Sequence, residues 1–295
     1  MTANLQPPGP TFRGDLSLPA QPEPYRIRCA EIWGGASAKE DDVVTPGVRA
    51  AIHASASGAA KGGDLHYLSV CAYDTLTRIA VADVRGHGEA VSDLSEWLYH
   101  SLERRMNDFD SSTVLKDLNS VVHAKGFEAI TTAVVATIHR DKGLIYYSYA
   151  GHPPVLLCRA GECQTLEAGA GSGPSNLPLG VLPGANFTLQ TARMMPGDRL
   201  FFYSDGVSEC PGVADELYGD DRMVAELRRT LALPLAEARS AIVRDLVAFA
   251  NGRLLHDDCT FLLVENLPPP PFWKRRIFPA KRRDHLSKDQ PDRRR

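Results

Sequence analysis

No run of apolar residues in this 295-residue chain approaches the length of a membrane span. Its first stretch, "MTANLQPPGPTFRGDLSLPAQPEPY", lacks the basic-then-apolar pattern of a signal peptide. Both absences lead us to expect a soluble cytoplasmic protein. Cysteine is present without pairing: Cys29, Cys71, Cys158, Cys163, Cys210 and Cys259 are scattered, mostly in apolar segments, with no CxxC spacing of a zinc knuckle. They read as small buried hydrophobes in a reducing compartment. There is no internal repeat. "GSGPSN" neither follows a strong strand nor opens a helix, which argues against a dinucleotide-binding fold.

Basic charge is also scarce, except at the end of the chain. The last 22 residues, "KRRIFPAKRRDHLSKDQPDRRR", hold ten Lys or Arg against three Asp, so a net charge of −3 leaves about −10 on everything before them. An acidic body argues against nucleic-acid binding and suits a cation site. Residues 1–24 are rich in proline and polar residues and read as a disordered lead-in, too short for a sensor domain. Apolar periodicity then runs over residues 25–267 as one domain, until "PPPP" at 268–271 stops it. Residues 268–295 form a proline-rich and then basic tail.

Within the domain, "YLSVCAYD" (67–74) and "TRIAVADV" (77–84) predict a hairpin, as do "AITTAVVATIH" (129–139) and "GLIYYSYAG" (143–151). "PVLLC", "RLFFYS" and "TFLLVE" are further strand candidates. Three- and four-residue spacing of apolar residues predicts helices over 91–106, 112–124 and 234–252, the last ending at Gly252. Hairpins followed by paired helices and more hairpins favour an α+β layered fold.

Acids recur at strand boundaries. Asp64 precedes a strand in "KGGDLHY" and Asp83 ends one in "AVADVRG". Asp205 follows one in "LFFYSDGVSE", and Asp257 and Asp258 precede one in "LLHDDCTFLLV". Carboxylates held there by rigid backbone can share a cleft. Oxygen donors without His/Cys pairs select a hard cation, Mg²⁺ or Mn²⁺, and two such ions suit phosphoester hydrolysis by in-line attack of water. A lone acid of this kind is a turn or cap residue more often than a ligand.

With these segments in order ("GGDLHY", "ADVRGHG", "TTAVVATIHRDKGLIYYSYAGHPP", "LPLGV", "MPGDRLFFYSDGVSE", "LYGDDRM", "DDCTFLLV"), the sequence resembles the metal-dependent protein phosphatases (PPM, or protein phosphatase 2C), in their bacterial SpoIIE-type branch. The resemblance spans about 200 residues. It implies a four-layer αββα sandwich of two antiparallel sheets flanked by helices, two Mn²⁺ or Mg²⁺ ions, and hydrolysis of phosphoserine or phosphothreonine on a protein. Carried over by position, Asp83 bridges both metals and the Val84 carbonyl is a further ligand. Asp205 and Asp257 complete the second metal's shell, Asp64 acts on the first, and Asp258 supports by a hydrogen bond. The partner it implies is a small anti-anti-sigma (STAS) regulator.

The chain departs from the branch pattern at Tyr67, where an acid is usual and whose presence is expected to weaken an accessory metal contact. It also departs at Arg85, where serine is common and a cation could help hold phosphate. Without a sensor, regulation is expected from another protein, the tail or the helices after Gly88.

Smaller signals are read as support. His87 is a turn or outer residue of the site, with proton donation to the leaving group the lesser reading. Glu209 steadies the Asp205 loop by accepting backbone hydrogen bonds. His152 is structural, and His256 is either beside the site or a loop residue. The tail interleaves Phe272, Trp273, Ile277 and Phe278 with basic residues, which suits an anionic membrane or an acidic partner, with a solvated tail preferred. Two rival functions stand beside the phosphoprotein phosphatase: a non-catalytic module of the same fold in a partner-switching circuit, and a small-molecule phosphatase.

Overall fold

The structure is a computed structural model that describes residues 23–57, 61–71, 73–85, 89–105, 108–169, 176–214, 216–252 and 257–269. Its strands are β1 (Tyr25–Arg26), β2 (Ile32–Ser37), β3 (Lys39–Val44), β4 (Val48–Ser55), β5 (Lys61–Cys71), β6 (Leu76–Val84), β7 (Thr131–His139), β8 (Leu144–Ala150), β9 (Leu156–Arg159), β10 (Glu162–Thr165), β11 (Gln190–Arg193), β12 (Arg199–Tyr203) and β13 (Cys259–Asn266). The α-helices are α1 (Glu89–Glu103), α2 (Ser111–Lys125), the single turn α3 (Asp205–Ser208), α4 (Gly219–Thr230) and α5 (Leu235–Phe249).

The strands form two sheets. The first runs β1-β3-β4-β13-β12-β9-β10 and the second β11-β8-β7-β6-β5-β2. Every pairing between strands is antiparallel except the short β1–β3 contact.

Alternation along the strands distributes the apolar residues among three cores. Ile52, Leu200, Phe202 and Leu262 of the first sheet meet Leu68, Val70, Ile79, Val81 and Val134 of the second in the space between them. The opposite face of the first sheet, with Phe201, Phe261 and Leu263, is covered by Met223 and Leu227 of α4 and Ile242 and Leu246 of α5. The opposite face of the second, with Leu65, Ala80 and Val135, is covered by Leu98 and Leu102 of α1 and Val114, Leu118 and Val122 of α2. The fold is therefore the four-layer αββα sandwich.

Local chemistry accounts for the helix ends. The Asp110 carboxylate accepts from Ser112 N at 2.9 Å, capping α2, and Gly126 stops it at a φ of 93°. The expected helix over 234–252 is α5, three residues shorter at its end. Elements without a sequence prediction are β1–β4, β10, β11, α3 and α4.

The cysteine expectation needs correction. Cys158 and Cys163 lie directly opposite each other on the β9–β10 hairpin and form a disulfide, and Cys29 is exposed. Hairpin register, which spacing alone does not reveal, brings the pair together. Cys71, Cys210 and Cys259 are free and buried as expected. No helix among the described residues is long and apolar enough to cross a membrane. The expectations for the lead-in through residue 22, for "GSGPSN" up to Ser175 and for the basic tail lie outside the described residues, as do His87 and His256.

Candidate metal centre

Asp64 on β5 stands directly opposite Asp83 on β6, and Asp83 stands opposite Thr132 on β7. Parity decides where they point. Asp64 is four residues from Leu68 and Asp83 two from Val81, both of which face the space between the sheets, so the two acids face it as well. Apolar packing fills that space at one end, and carboxylates fill it at the other.

The first sheet supplies the remaining acids from the same end. Ser204 follows β12, and its hydroxyl donates to Asp64 Oδ2 at 2.6 Å while accepting from Thr260 N at 3.0 Å. Asp205 comes next, as the first residue of α3, where Glu209 N donates to its carbonyl at 2.7 Å. Asp258 precedes β13 and is only 6% exposed; its Oδ1 accepts from Ser57 N at 2.6 Å and its Oδ2 from Gly63 N. Asp257 accepts from Asp258 N at 2.8 Å and is exposed to solvent.

Two glycines let these pieces approach. A Cβ on Gly206 would lie 1.9 Å from the Asp258 carbonyl, and one on Gly62 would lie 2.3 Å from the Asp258 carboxylate. A Cβ on Gly63 would come within 2.7 Å of the Val84 carbonyl, which puts that oxygen beside the same strand end.

Electrostatics shows that the acids converge. Burial pushes the Asp83 carboxyl up to about 7, with Asp205, Asp257, Asp258 and Glu209 each raising it further. Burial also raises Asp64 far above the ordinary carboxylate range, with Asp83 and Asp258 adding to it and the Ser204 and Thr260 hydrogen bonds opposing. Asp205 is raised by burial, then by Glu209 and Asp257. Every charge that acts on Asp83 in this set is negative, and the donors are all hard oxygens, the chemistry that a divalent Mg²⁺ or Mn²⁺ ion satisfies. Among the described residues no three His, Cys, Asp or Glu side chains form a ready-made cage. The set therefore fits metal through its donor chemistry and its uncompensated charge.

Two expectations change. Tyr67 does not face the site: it lies an odd number of residues from Asp64 on an unbroken strand, so it points into the helix-covered core, where it meets Tyr99 edge to face at 5.8 Å. The departure at Tyr67 therefore removes no contact from the cleft. Glu209 supports the Asp205 turn through its own backbone N–H rather than by accepting with its carboxylate, which acts on the acids by charge. Arg85 is exposed, its backbone N donating to Ile130 O at 3.0 Å, and its side chain makes no hydrogen bond or ion pair to a described residue.

His152 is structural as expected. It is buried, shares a 2.8 Å hydrogen bond with Thr132 Oγ1, and is pushed down to about 3 by burial, so it is neutral at physiological pH. Sequence reading missed Ser204 and Thr132, which lie beside the acids. For Ser204 the available signal was its place immediately before Asp205 at a strand end.

Two face-to-face antiparallel sheets between helix pairs, with acids gathered at one end, define the fold class of the PP2C phosphatases. The chain belongs within that class to the SpoIIE family: residues 73–266 match the family described as Stage II sporulation protein E (SpoIIE).

Solved structures agree on the fold. The RsbU and RsbW domains of a Mycobacterium tuberculosis protein superpose with a TM-score of 0.64 at 23% identity, over 80% of this chain and 64% of that one. The SiaA-PP2C domain of Pseudomonas aeruginosa gives 0.64 at 18% identity, over 73% of this chain and 85% of that one. The PP2C phosphatase domain of Bacillus subtilis SpoIIE with a fragment of its regulatory domain gives 0.62 at 18%, over 81% and 64%. Among curated proteins, Protein IcfG of Synechocystis is 27% identical over 134 residues, which is 45% of this chain and 20% of IcfG. The chain thus matches about a fifth of that relative's length.

Proposed function

We propose that this chain is a metal-dependent protein-serine/threonine phosphatase of the bacterial cytoplasm. The observation that carries the reading is the Asp64–Asp83 cross-strand pair facing the space between the sheets, with Asp205, Asp257 and Asp258 raising or sharing its charge from the other sheet. Asp83, Asp205 and Asp257, with the Val84 carbonyl and Asp64, would hold two Mn²⁺ or Mg²⁺ ions. When bound, these supply a water activated for in-line attack and neutralise the phosphate's charge.

The chain's own residues do the rest. Ser204 fixes one oxygen of Asp64, leaving the other directed by the strand. Asp258 ties the start of β5 to the start of β13, which sets the separation of the acids contributed by the two sheets. Arg85, exposed just after β6 and two residues beyond Asp83, would offer its guanidinium to an incoming phosphoryl group. Family membership supports a protein substrate. Within it, the SpoIIE and RsbU names among the structural relatives favour an anti-anti-sigma (STAS) regulator.

The test is hydrolysis of p-nitrophenyl phosphate with Mn²⁺. Asp83→Asn and Asp205→Asn should each lower turnover by more than about 100-fold, since even outer partners of metal ligands are worth 10–100-fold, while the circular dichroism spectrum stays that of the parent. Full activity in either variant, or turnover by the parent in excess chelator, would overturn the proposal. Mn²⁺-dependent release of phosphate from phosphorylated STAS proteins of the same genome then separates this substrate from small metabolites. Binding of those proteins without turnover would mark a non-catalytic module.

A further inference from the structure

A groove of about 740 Å³ lies at the β1–β3 edge of the first sheet, between β1, β3, Trp33 of β2 and α5. Its wall carries the carboxylates of Glu23, Glu40, Asp41, Asp42 and Glu237 and the rings of Tyr25 and Trp33, stacked at 4.4 Å. Tyr25 is 47% exposed. Arg239 is taken up by Asp42 Oδ1 at 3.0 Å and by the Asp41 carbonyl at 2.9 Å, which leaves the rim acidic. The lining also carries Arg244, so five carboxylates face two guanidinium groups; burial raises the Asp42 carboxyl, Arg239 opposes, and Asp41 and Glu40 push it higher.

What the wall binds is already displayed at its edge. Lys39 Nζ sits 3.8 Å over the Trp33 ring and 2.8 Å from Asp41, a lysine held by an aromatic face and a carboxylate together.

The chain leaves the described fold next to this groove. Arg199 bonds Glu265 at 3.0 Å and the carbonyl of Leu233, a lining residue, at 2.7 Å, four positions before Pro269. Leu267 N donates to Gly47 O at 2.9 Å, at the turn from which β3 and then β1 lie one and two strands across. Strands are spaced at about 4.8 Å, and each residue of an extended chain adds about 3.3 Å. Phe272, Trp273, Lys274, Arg275 and Arg276 therefore fall within reach of the groove directly after the prolines.

We infer that the basic and aromatic segment 272–276 of this chain docks in the acidic, aromatic groove between β3 and α5. Charge matches, since the tail from Lys274 onward holds ten Lys or Arg against three Asp. Composition matches too, because Phe272 and Trp273 offer the ring faces and Lys274–Arg276 the cations that Tyr25, Trp33 and the acids receive. Docking there covers the β1 edge and occupies the tail's cations. The inference is independent of the catalytic reading.

The test uses the full chain in dilute solution and a zero-length carbodiimide, which joins a lysine to a carboxylate only where the two touch. Peptides linking Lys274 to Glu23, Glu40, Asp41 or Glu237 are expected in the monomer fraction. Glu23→Lys combined with Glu237→Lys should remove them and speed tryptic cleavage after Arg275 and Arg276 roughly tenfold, as the undocked population rises, with an unchanged melting curve. Glu237→Lys combined with Lys274→Glu should restore coupling between positions 237 and 274, which loss of folding would not allow. Links confined to a dimer fraction, no links at all, or equal cleavage rates in parent and variant with the tail sedimenting on anionic vesicles would each overturn the inference.

Discussion

Along β5 the residues that face the other sheet read Asp64, His66, Leu68 and Val70, and along β6 they read Asp83, Val81 and Ile79. One end of the inter-sheet space is thus a close-packed apolar core and the other a set of repelling carboxylates, built on the same strands with the same alternation. The apolar end stabilises the fold. The acidic end works against it, since carboxyls such as Asp64 and Asp83 are held where they ionise reluctantly. The sheets are rigid because of the first end, and that rigidity holds the second in place.

Moving one acid along its row is the strongest way to break the comparison. Val81→Asp puts a carboxylate at a fully buried apolar position two residues from Asp83, and should cost more than about 4 kcal/mol or prevent folding. Asp83→Val in denaturant titrations should leave the chain at least as stable as the parent while abolishing hydrolysis. A tolerated Val81→Asp would show that the two ends are not distinct.

Metal should erase much of the difference. Asp83 is raised from 3.8 to about 7, so between those values the folded state holds a proton the unfolded state has lost, and stability falls as pH rises through that window. At pH 7.5, Mn²⁺ at a hundred times its Kd should add about 3 kcal/mol. For a domain of this size that is roughly 5–10 °C in Tm. Scanning calorimetry checks it, and no shift would remove the metal reading.

His66 marks the boundary and responds with the opposite sign. It is buried, neither ring nitrogen has a partner among the described residues, and burial lowers it from 6.5 to about 4. The unfolded state therefore takes up a proton below 6.5 that the folded state refuses until about 4. Stability present above that window is lost as pH falls through it, by about 3 kcal/mol in all. His66→Leu should flatten this acid limb in urea titrations at pH 6.5 and 4.5.

The smallest effect is at Ser204. Ser204→Ala removes the donor to Asp64 Oδ2, and should cost about 1–2 kcal/mol of stability. It should also weaken Mn²⁺ binding by roughly 10–100-fold. Calorimetric titration with Mn²⁺ measures this without an activity assay, and an unchanged Kd would make Ser204 a purely structural residue.

Much of this contrast was legible in the residues. The β5–β6 and β7–β8 hairpins, three helices and most of the strand-end acids follow from local pattern, whereas Asp64, expected ahead of a strand that starts at Tyr67, lies inside β5, which starts at Lys61. Convergence did not, because it is made by contacts such as Ser204 to Asp64 that are 140 positions apart. Strand β3 escaped notice because "KEDDVV" reads as a charged run, and its acids serve Trp33, Lys39 and Arg239 near a sheet edge. Helix α4 escaped because "GDDRMVAELRRT" buries few apolar side chains. The error at Tyr67 was one of parity: a motif match counted three residues, while a continuous strand sends the third to the opposite face.

Asp258 has an evolutionary consequence. By accepting from Ser57 N and Gly63 N together, one side chain grips the chain on both sides of the β4–β5 connection. The connection's length is thereby uncoupled from the acids that follow it, and each doubling of a loop costs only about 0.6 kcal/mol in closure entropy. Insertions at that connection can lengthen it while the acids below stay where they are.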